Sequence, residues 1–262
     1  MSRKRKHAHP LMAMMRADRR LLFRHGIAAV TFLITLISIA VLRFFLPDGL
    51  HGQMQTLLLL AMPAILTLFF TGAMLLHEKK QHIHAALYIA AIRPSHYVSA
   101  KCIVMTLWGT LMGCLLIWFA NPNVFLVEGS TVVWESLLAG DVAELCVGAA
   151  ALLLSGILFT CLGIIIGSIS SGMNQFAFFA IIADAIFFVP AAWDLFSPLP
   201  QWASFHPVVW MARAMASPAE ILSFVNDAEQ WVFALVLLVL HVILFQVASA
   251  AAAGMLRRRE NA

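Results

Sequence analysis

The segment His77-Glu78-Lys79-Lys80-Gln81-His82 is the stretch of the chain that most resembles reaction machinery. In a zinc-protease helix two His stand at i and i+4, so both imidazoles face one metal while the intervening Glu serves as base. Here position 81 is Gln and the second His falls at i+5. Five residues turn a helix through about 500°, which leaves the two rings about 140° apart, and His84 adds no third ligand on a shared face. Proteolysis inside a membrane would need a Ser with a His or Lys buried beside it. Ser38, Ser155 and His241 are placed to attempt it, and they read instead as helix-packing and bundle residues. No Gly precedes Lys4, Lys6, Lys79, Lys80 or Lys101, so the chain has no phosphate loop. No catalytic residue, metal ligand set or cofactor of its own is expected. Cys102, Cys114, Cys146 and Cys161 form no Cys-x-x-Cys pair and read as small packing residues.

The elements that would hold these residues are apolar. Of 262 residues, 62% are hydrophobic and 11% charged, and the mean hydropathy is +0.89. Soluble domains have about 45–50% apolar and about 25% charged residues. A water-soluble globule of this size cannot hide so much apolar surface, which excludes a soluble enzyme, a disordered chain and a secreted disulfide scaffold. The composition predicts an all-α, polytopic membrane protein, a single integral domain over 1–262.

Six apolar runs are long enough to cross a bilayer, each needing about 20 residues: Gly26–Leu46, Gln55–Leu76, Cys102–Ala120, Leu145–Gly167, Phe176–Trp193 and Trp231–Leu256. They are continuous rather than alternating, so barrel strands are excluded. The fifth is the shortest and the least secure. Arg3–Lys6 lies too far ahead of the first run for a cleaved signal peptide, and no Ala-x-Ala site follows it, so the first run is expected to stay as an anchor. Fifteen of the seventeen Lys and Arg fall on the side that holds both ends, and nine acids fall on the other. Residues 1–25 and 257–262 are therefore expected in the cytoplasm, flanking a bundle over 26–256. Trp118, Trp134, Trp193, Trp202, Trp210 and Trp231 lie near the outer boundary, as an aromatic belt would. The pI of about 9.1 reports this topology and contact with anionic lipid rather than nucleic acid.

Leu11–His25 reads as an amphipathic interface helix, with Arg16, Arg20 and Arg24 at i, i+4 and i+8 in one stripe opposite Leu11, Met15 and Leu22. Asp18 and Arg19 interrupt its apolar side. Residues 77–101 hold two charge clusters around an apolar centre, Ala85–Ile92, stopped by Pro94: a short helix projecting from the bundle. Residues 194–230 carry four Pro, yet Trp202–Met215 is apolar, which predicts short outer helices lying in the interface or dipping into the bundle. Asp184 sits mid-span in the fifth run, where an acid marks function or pairing. Arg43 can snorkel from the end of the first.

Four features in this order resemble the permeases of type-2 ABC exporters. They are the basic helix ahead of the first span; Phe69-Phe70-Thr71-Gly72-Ala73-Met74-Leu75-Leu76-His77-Glu78-Lys79-Lys80; Ile92-Arg93-Pro94-Ser95-His96-Tyr97-Val98-Ser99-Ala100-Lys101, similar to a Pro–x–x–Tyr–x–x–x–Lys start of the third span; and Leu199-Pro200-Gln201-Trp202 with His206-Pro207 before the last. Within the family the chain looks closest to small drug-export permeases of the fluoroquinolone-exporter kind. The resemblance implies a dimer of six-span chains, a homodimer in the simplest case, joined to two ATPase subunits that hold ATP and Mg. The helix around Glu78–Ile92 would be a coupling helix, with Glu78, Lys79, Lys80, Arg93, Tyr97, Arg16, Arg20 and Arg24 at the ATPase side. The outer Pro-rich segment would be re-entrant. The first, second and fifth spans would line the pathway, with Met62, Phe69, Phe70, Asp184, Phe187 and Phe188 facing a drug-like amphipathic or hydrophobic substrate exported across the cell membrane of a bacterium. An intramembrane enzyme and a bacteriocin-immunity or signalling membrane protein are the competing readings.

Overall fold

The computed structural model describes residues 10–81, 83–89, 92–120, 142–200, 203, 205–216 and 228–257. Arg3–Lys6, Trp134, Trp202, Glu128, Glu135, Asp141, Glu220 and Asp227 lie outside them, as do the side chains of Asp48, Glu144, Glu229 and Trp231. Among the described residues the chain is helical and contains no strand. The helices are α1 (Pro10–Arg24), α2 (Ile27–Phe44), α3 (Asp48–Met62), α4 (Phe70–Lys80), α5 (Ile83–Ile89), α6 (Pro94–Ala120), α7 (Val142–Ile169), α8 (Met173–Phe196), α9 (Pro207–Ala216) and α10 (Ala228–Arg257). A π-helical stretch, Pro63–Phe69, joins α3 to α4 in one continuous rod. Pro63 has no N–H to give to the ladder, and the widened turns that follow absorb the loss. Farther along, the Thr67 hydroxyl donates to the Pro63 carbonyl oxygen.

Six helices are long and apolar enough to span a membrane: Ile27–Phe44, Gly52–Lys80, Pro94–Phe119, Cys146–Ile169, Met173–Phe196 and Ala234–Leu256. The protein is thus a multi-pass membrane protein. The expectation of a short fifth span is corrected: Met173–Phe196 has 24 residues, and the first, with 18, is the shortest. The third starts at Pro94 rather than Cys102, because Pro is well suited to a first helical turn and the polar residues behind it are helical too.

The second and fourth spans form the centre, with 61% and 67% of their most apolar windows buried, against 28%, 22% and 17% for the first, fifth and sixth. Small residues on α7 allow this. A Cβ on Gly163 would lie 2.5 Å from the Leu68 carbonyl oxygen, and one on Gly156 2.8 Å from Thr106 Cγ2. Gly72 lies so close to the Phe176 ring that any side chain would overlap it. Backbones that approach this closely gain the dispersion contacts that associate helices in lipid.

The chain turns from α1 into α2 at Gly26, whose φ of 71° favours glycine. α1 does not stand apart from the bundle. Met14 lies in the core group of Tyr97 and Val98, Asp18 bonds Lys101, and Leu22 shares a core with Met105. Three positions one turn apart on α1 thus follow the first turns of α6. At the other end, α9 has Val208, Val209, Met211, Ala212 and Ala214 buried. It packs on α7 and α8, and at ten residues it is too short to span.

Candidate functional site

Three ionisable side chains meet where α1, α4 and α6 come together. Glu78 ends the apolar stretch of the second span, and Lys101 is seven residues into α6 after Pro94. Tyr97 and Lys101 are four residues apart and so share a helix face. Lys101 Nζ donates to Glu78 Oε1 at 2.6 Å and to Asp18 Oδ1 at 3.1 Å. Tyr97 donates its hydroxyl hydrogen to Glu78 Oε2 at 2.5 Å, and its ring centroid lies 4.9 Å from Lys101 Nζ. All four are buried, Lys101 at 1% exposure. Two carboxylates around one ammonium would leave the cluster with an excess negative charge. Burial pushes the Asp18 carboxyl above the usual carboxylate range against the opposing pull of Lys101, and Asp18 Oδ2 is buried with no hydrogen-bond partner.

This corrects the reading of Asp18 as a flaw on an apolar face. Met14, Asp18 and Leu22 are the buried stripe of α1, and Arg16, Arg20 and Arg24 occupy the exposed face about 200° away. Glu78 and Tyr97 are likewise interior residues, not part of a contact surface. Lys79 has a different task. Its ammonium lies 2.7 Å from the Gly167 and Ser168 carbonyl oxygens and 3.1 Å from that of Ser170. Those are carbonyls at the end of α7, where a helix lacks partners and carries partial negative charge. Lys80 and Arg93 are exposed on either side of α5, as is Ile89 at its tip, 84% accessible.

No family model, no curated protein and no solved structure matches the chain. The geometry is the guide.

The residues expected along a pathway divide between two cores. Phe69, Phe187 and Phe188 pack against one that includes Phe159, Phe176 and Val208, and Phe69 meets Phe176 at a centroid distance of 5.6 Å. Met62 is buried in another, against which Phe70 packs, with Thr35 Oγ1 at 3.8 Å from its sulfur. Asp184 is half-buried on α8 and has one carboxylate oxygen buried without a partner.

A second charged lock, unforeseen in the sequence, closes the opposite end. Arg213 of α9 donates from Nε to Asp194 Oδ2 and from Nη2 to Oδ1, both at 2.7 Å, and from Nη2 to the Leu199 carbonyl at 3.0 Å. The Leu199 N–H donates to Asp194 Oδ1 at 2.8 Å. This planar fork ties the end of α8 to α9. The signal was present in Arg213, one of the two basic residues, with Arg43, that fall away from the basic side.

Two of the residues considered for proteolysis, Ser155 and His241, are engaged elsewhere. The Ser155 hydroxyl donates to the Leu152 carbonyl, and the His241 ring lies between the carbonyl oxygens of Leu237 at 2.8 Å and Leu154 at 2.9 Å. Cys102 and Cys161 are in buried contact, with Sγ atoms 3.8 Å apart.

Proposed function

We propose that the chain is the permease subunit of an ATP-driven exporter of the type-2 ABC kind. In this reading two copies associate face to face with two ATPase subunits, which bind ATP and Mg. Both ends and α5 lie on the cytoplasmic side of a bacterial cell membrane, and α9 is the outer, re-entrant part. The cargo is a small amphipathic or hydrophobic compound.

One observation carries the reading. The buried Asp18–Lys101–Glu78–Tyr97 cluster binds α1, α4 and α6 together immediately around α5, a short helix whose Ile89 projects into solvent. A projecting helix on a stiff base is what force transmission from a second protein requires, because a push on α5 then moves three helices rather than bending a loop. Ile89 would fill an apolar groove on the ATPase, with Lys80 and Arg93 at its rim. Closure of the ATPases would drive α5, and with it α1 and the second and third spans, between inward- and outward-open arrangements. The aromatic side chains Phe69, Phe70, Phe187 and Phe188 supply walls suited to an apolar cargo.

The test is isolation of the tagged chain from its native membrane in mild detergent. A phosphate-loop ATPase should co-purify in a one-to-one ratio. Transport of cargo by the chain alone, with no nucleotide-hydrolysing partner, would overturn the reading.

A further inference from the structure

We infer that the groove between α1 and α6 is a binding site for an anionic phospholipid, with the headgroup phosphate on Arg16 and Arg19 and an acyl chain laid along α6. The groove has a volume of about 450 Å³. Arg16 and Arg19 stand on its α1 wall, and Val104, Leu107, Trp108 and Leu111 form its α6 wall. The two walls differ in chemistry, and depth orders them. Asp18, between the two Arg in sequence, is bonded to Lys101, so the guanidiniums lie at the level of the first turns of α6. Leu111 is ten residues farther along α6, about 15 Å. That is half of the roughly 30 Å hydrocarbon core, the reach of one leaflet's acyl chain.

The charges fit the headgroup. Arg16 and Arg19 are exposed, and among the described residues neither is in an ion pair; the neighbouring acid, Asp18, is turned inward onto Lys101. A phosphate diester offers two oxygens to guanidinium forks, and a headgroup with net negative charge leaves that attraction uncancelled, unlike a zwitterion. The floor fits a chain. Trp108 is held by its Nε1–H on Thr31 Oγ1 at 2.8 Å and by Phe23 at an edge-on ring distance of 5.5 Å, so a fixed aromatic surface faces the groove. Leu107 and Leu111 are 57% and 48% exposed on the same wall. This site depends on membrane embedding and not on the transport reading, and the experiment below needs no ATPase.

The purified full chain is reconstituted into phosphatidylcholine vesicles containing one tenth of a photoreactive phospholipid with a diazirine midway along its acyl chain. The probe headgroup is phosphatidylglycerol in one sample and phosphatidylcholine in the other. Labelled peptides are mapped by mass spectrometry, with the stretch 235–243 of α10, whose Leu235, Leu238, Val239, Val242 and Ile243 are exposed, as internal reference. Labelling of residues 12–23 and 104–111, relative to that reference, should be at least threefold higher from phosphatidylglycerol. It should fall to the phosphatidylcholine level in R16Q/R19Q and remain in R16K/R19K. Leu107→Trp, which fills the groove and leaves both Arg in place, should also reduce it at least twofold. Equal labelling by the two lipids, headgroup selectivity that survives R16Q/R19Q, or a crosslink to a second copy at these residues in place of lipid would overturn the assignment.

Discussion

Lys101 is the residue on which the inner cluster depends. Its ammonium is shared by two buried carboxylates 83 and 23 positions away in sequence. Lys101→Met keeps the volume and removes the charge, leaving Asp18 and Glu78 facing each other without a cation. Losing one partner of a buried pair costs about 3–5 kcal/mol, so the variant should unfold many degrees below the parent in a thermal scan in detergent. An unchanged midpoint would show that the cluster does not brace the helices. Asp18 adds a pH dependence of predictable sign. Burial first, and the Glu78 charge to a smaller degree, hold its carboxyl above its ordinary range despite Lys101. The folded chain therefore takes up this proton at a higher pH than the unfolded chain, and acidification down to the ordinary carboxylate range favours the folded state through this group. The unfolding midpoint of the parent relative to Asp18→Asn should shift in the parent's favour as the pH falls; a shift the other way would reverse the assignment. Tyr97 and Lys101 stood out in the sequence only as part of the Pro–x–x–Tyr–x–x–x–Lys resemblance, which implied an ATPase-side place for Tyr97 and did not point to a buried cluster with Glu78. Asp18 was not legible, because a charge on an apolar stripe looks like an error until the distant cation that pairs with it is known.

At the scale of elements, the end of α7 is held by a side chain from another helix. Lys79 gathers three carbonyls that the helix itself cannot satisfy. Lys79→Met should leave them unpaired, at about 1–3 kcal/mol, and the effect should be local: faster amide exchange around residues 167–172 with little change in the spans' interior. Uniform exchange across the molecule would mean that Lys79 acts on global stability instead. The close approach of α7 to the second span is a separate matter. Gly163→Ala places a methyl group against a backbone oxygen, which cannot swing aside, whereas Gly148→Ala enters open space. The first should lower the unfolding midpoint by an amount equivalent to about 1–3 kcal/mol, and the second should leave it unchanged; equal midpoints would refute the contact. Gly163-Ile-Ile-Ile-Gly167 carries the small-xxx-small spacing that signals such a contact. The number of spans could be read from hydropathy because each is a continuous apolar run. Their ends could not, because helical first turns such as Pro94–Lys101 are as polar as loops, and Met173–Gln175 carries no apolar stripe to announce it.

For the whole molecule, sequence chemistry cannot separate a lipid-facing helix from one that faces a second copy, since both surfaces are equally apolar. The poorly buried spans α2 and α8 show this. Phe178, Ile181, Ile186 and Val189 are exposed along α8, and nothing in their types distinguishes the two neighbours. Asp184, on the same helix, can. If α8 lines a route at the interface between copies, Asp184→Asn should change which compounds the reconstituted complex exports, most of all cationic ones, while leaving ATP hydrolysis in place. An identical export profile would assign Asp184 to structure. The coupling proposal has its own test, and the burial of Glu78 decides which residues can serve. A Glu78 replacement disturbs the inner cluster, so loss of transport there would mix instability with uncoupling. Ile89 and Arg93 are exposed beside that cluster and make no part of it. Ile89→Asp should leave the unfolding midpoint of the isolated chain unchanged and weaken its association with the ATPase at least tenfold, because a carboxylate cannot enter an apolar groove without losing its hydration. Arg93→Glu should preserve folding and slow export per ATP hydrolysed. Normal association and export in both variants, with folding intact, would remove α5 from the route by which force enters the bundle.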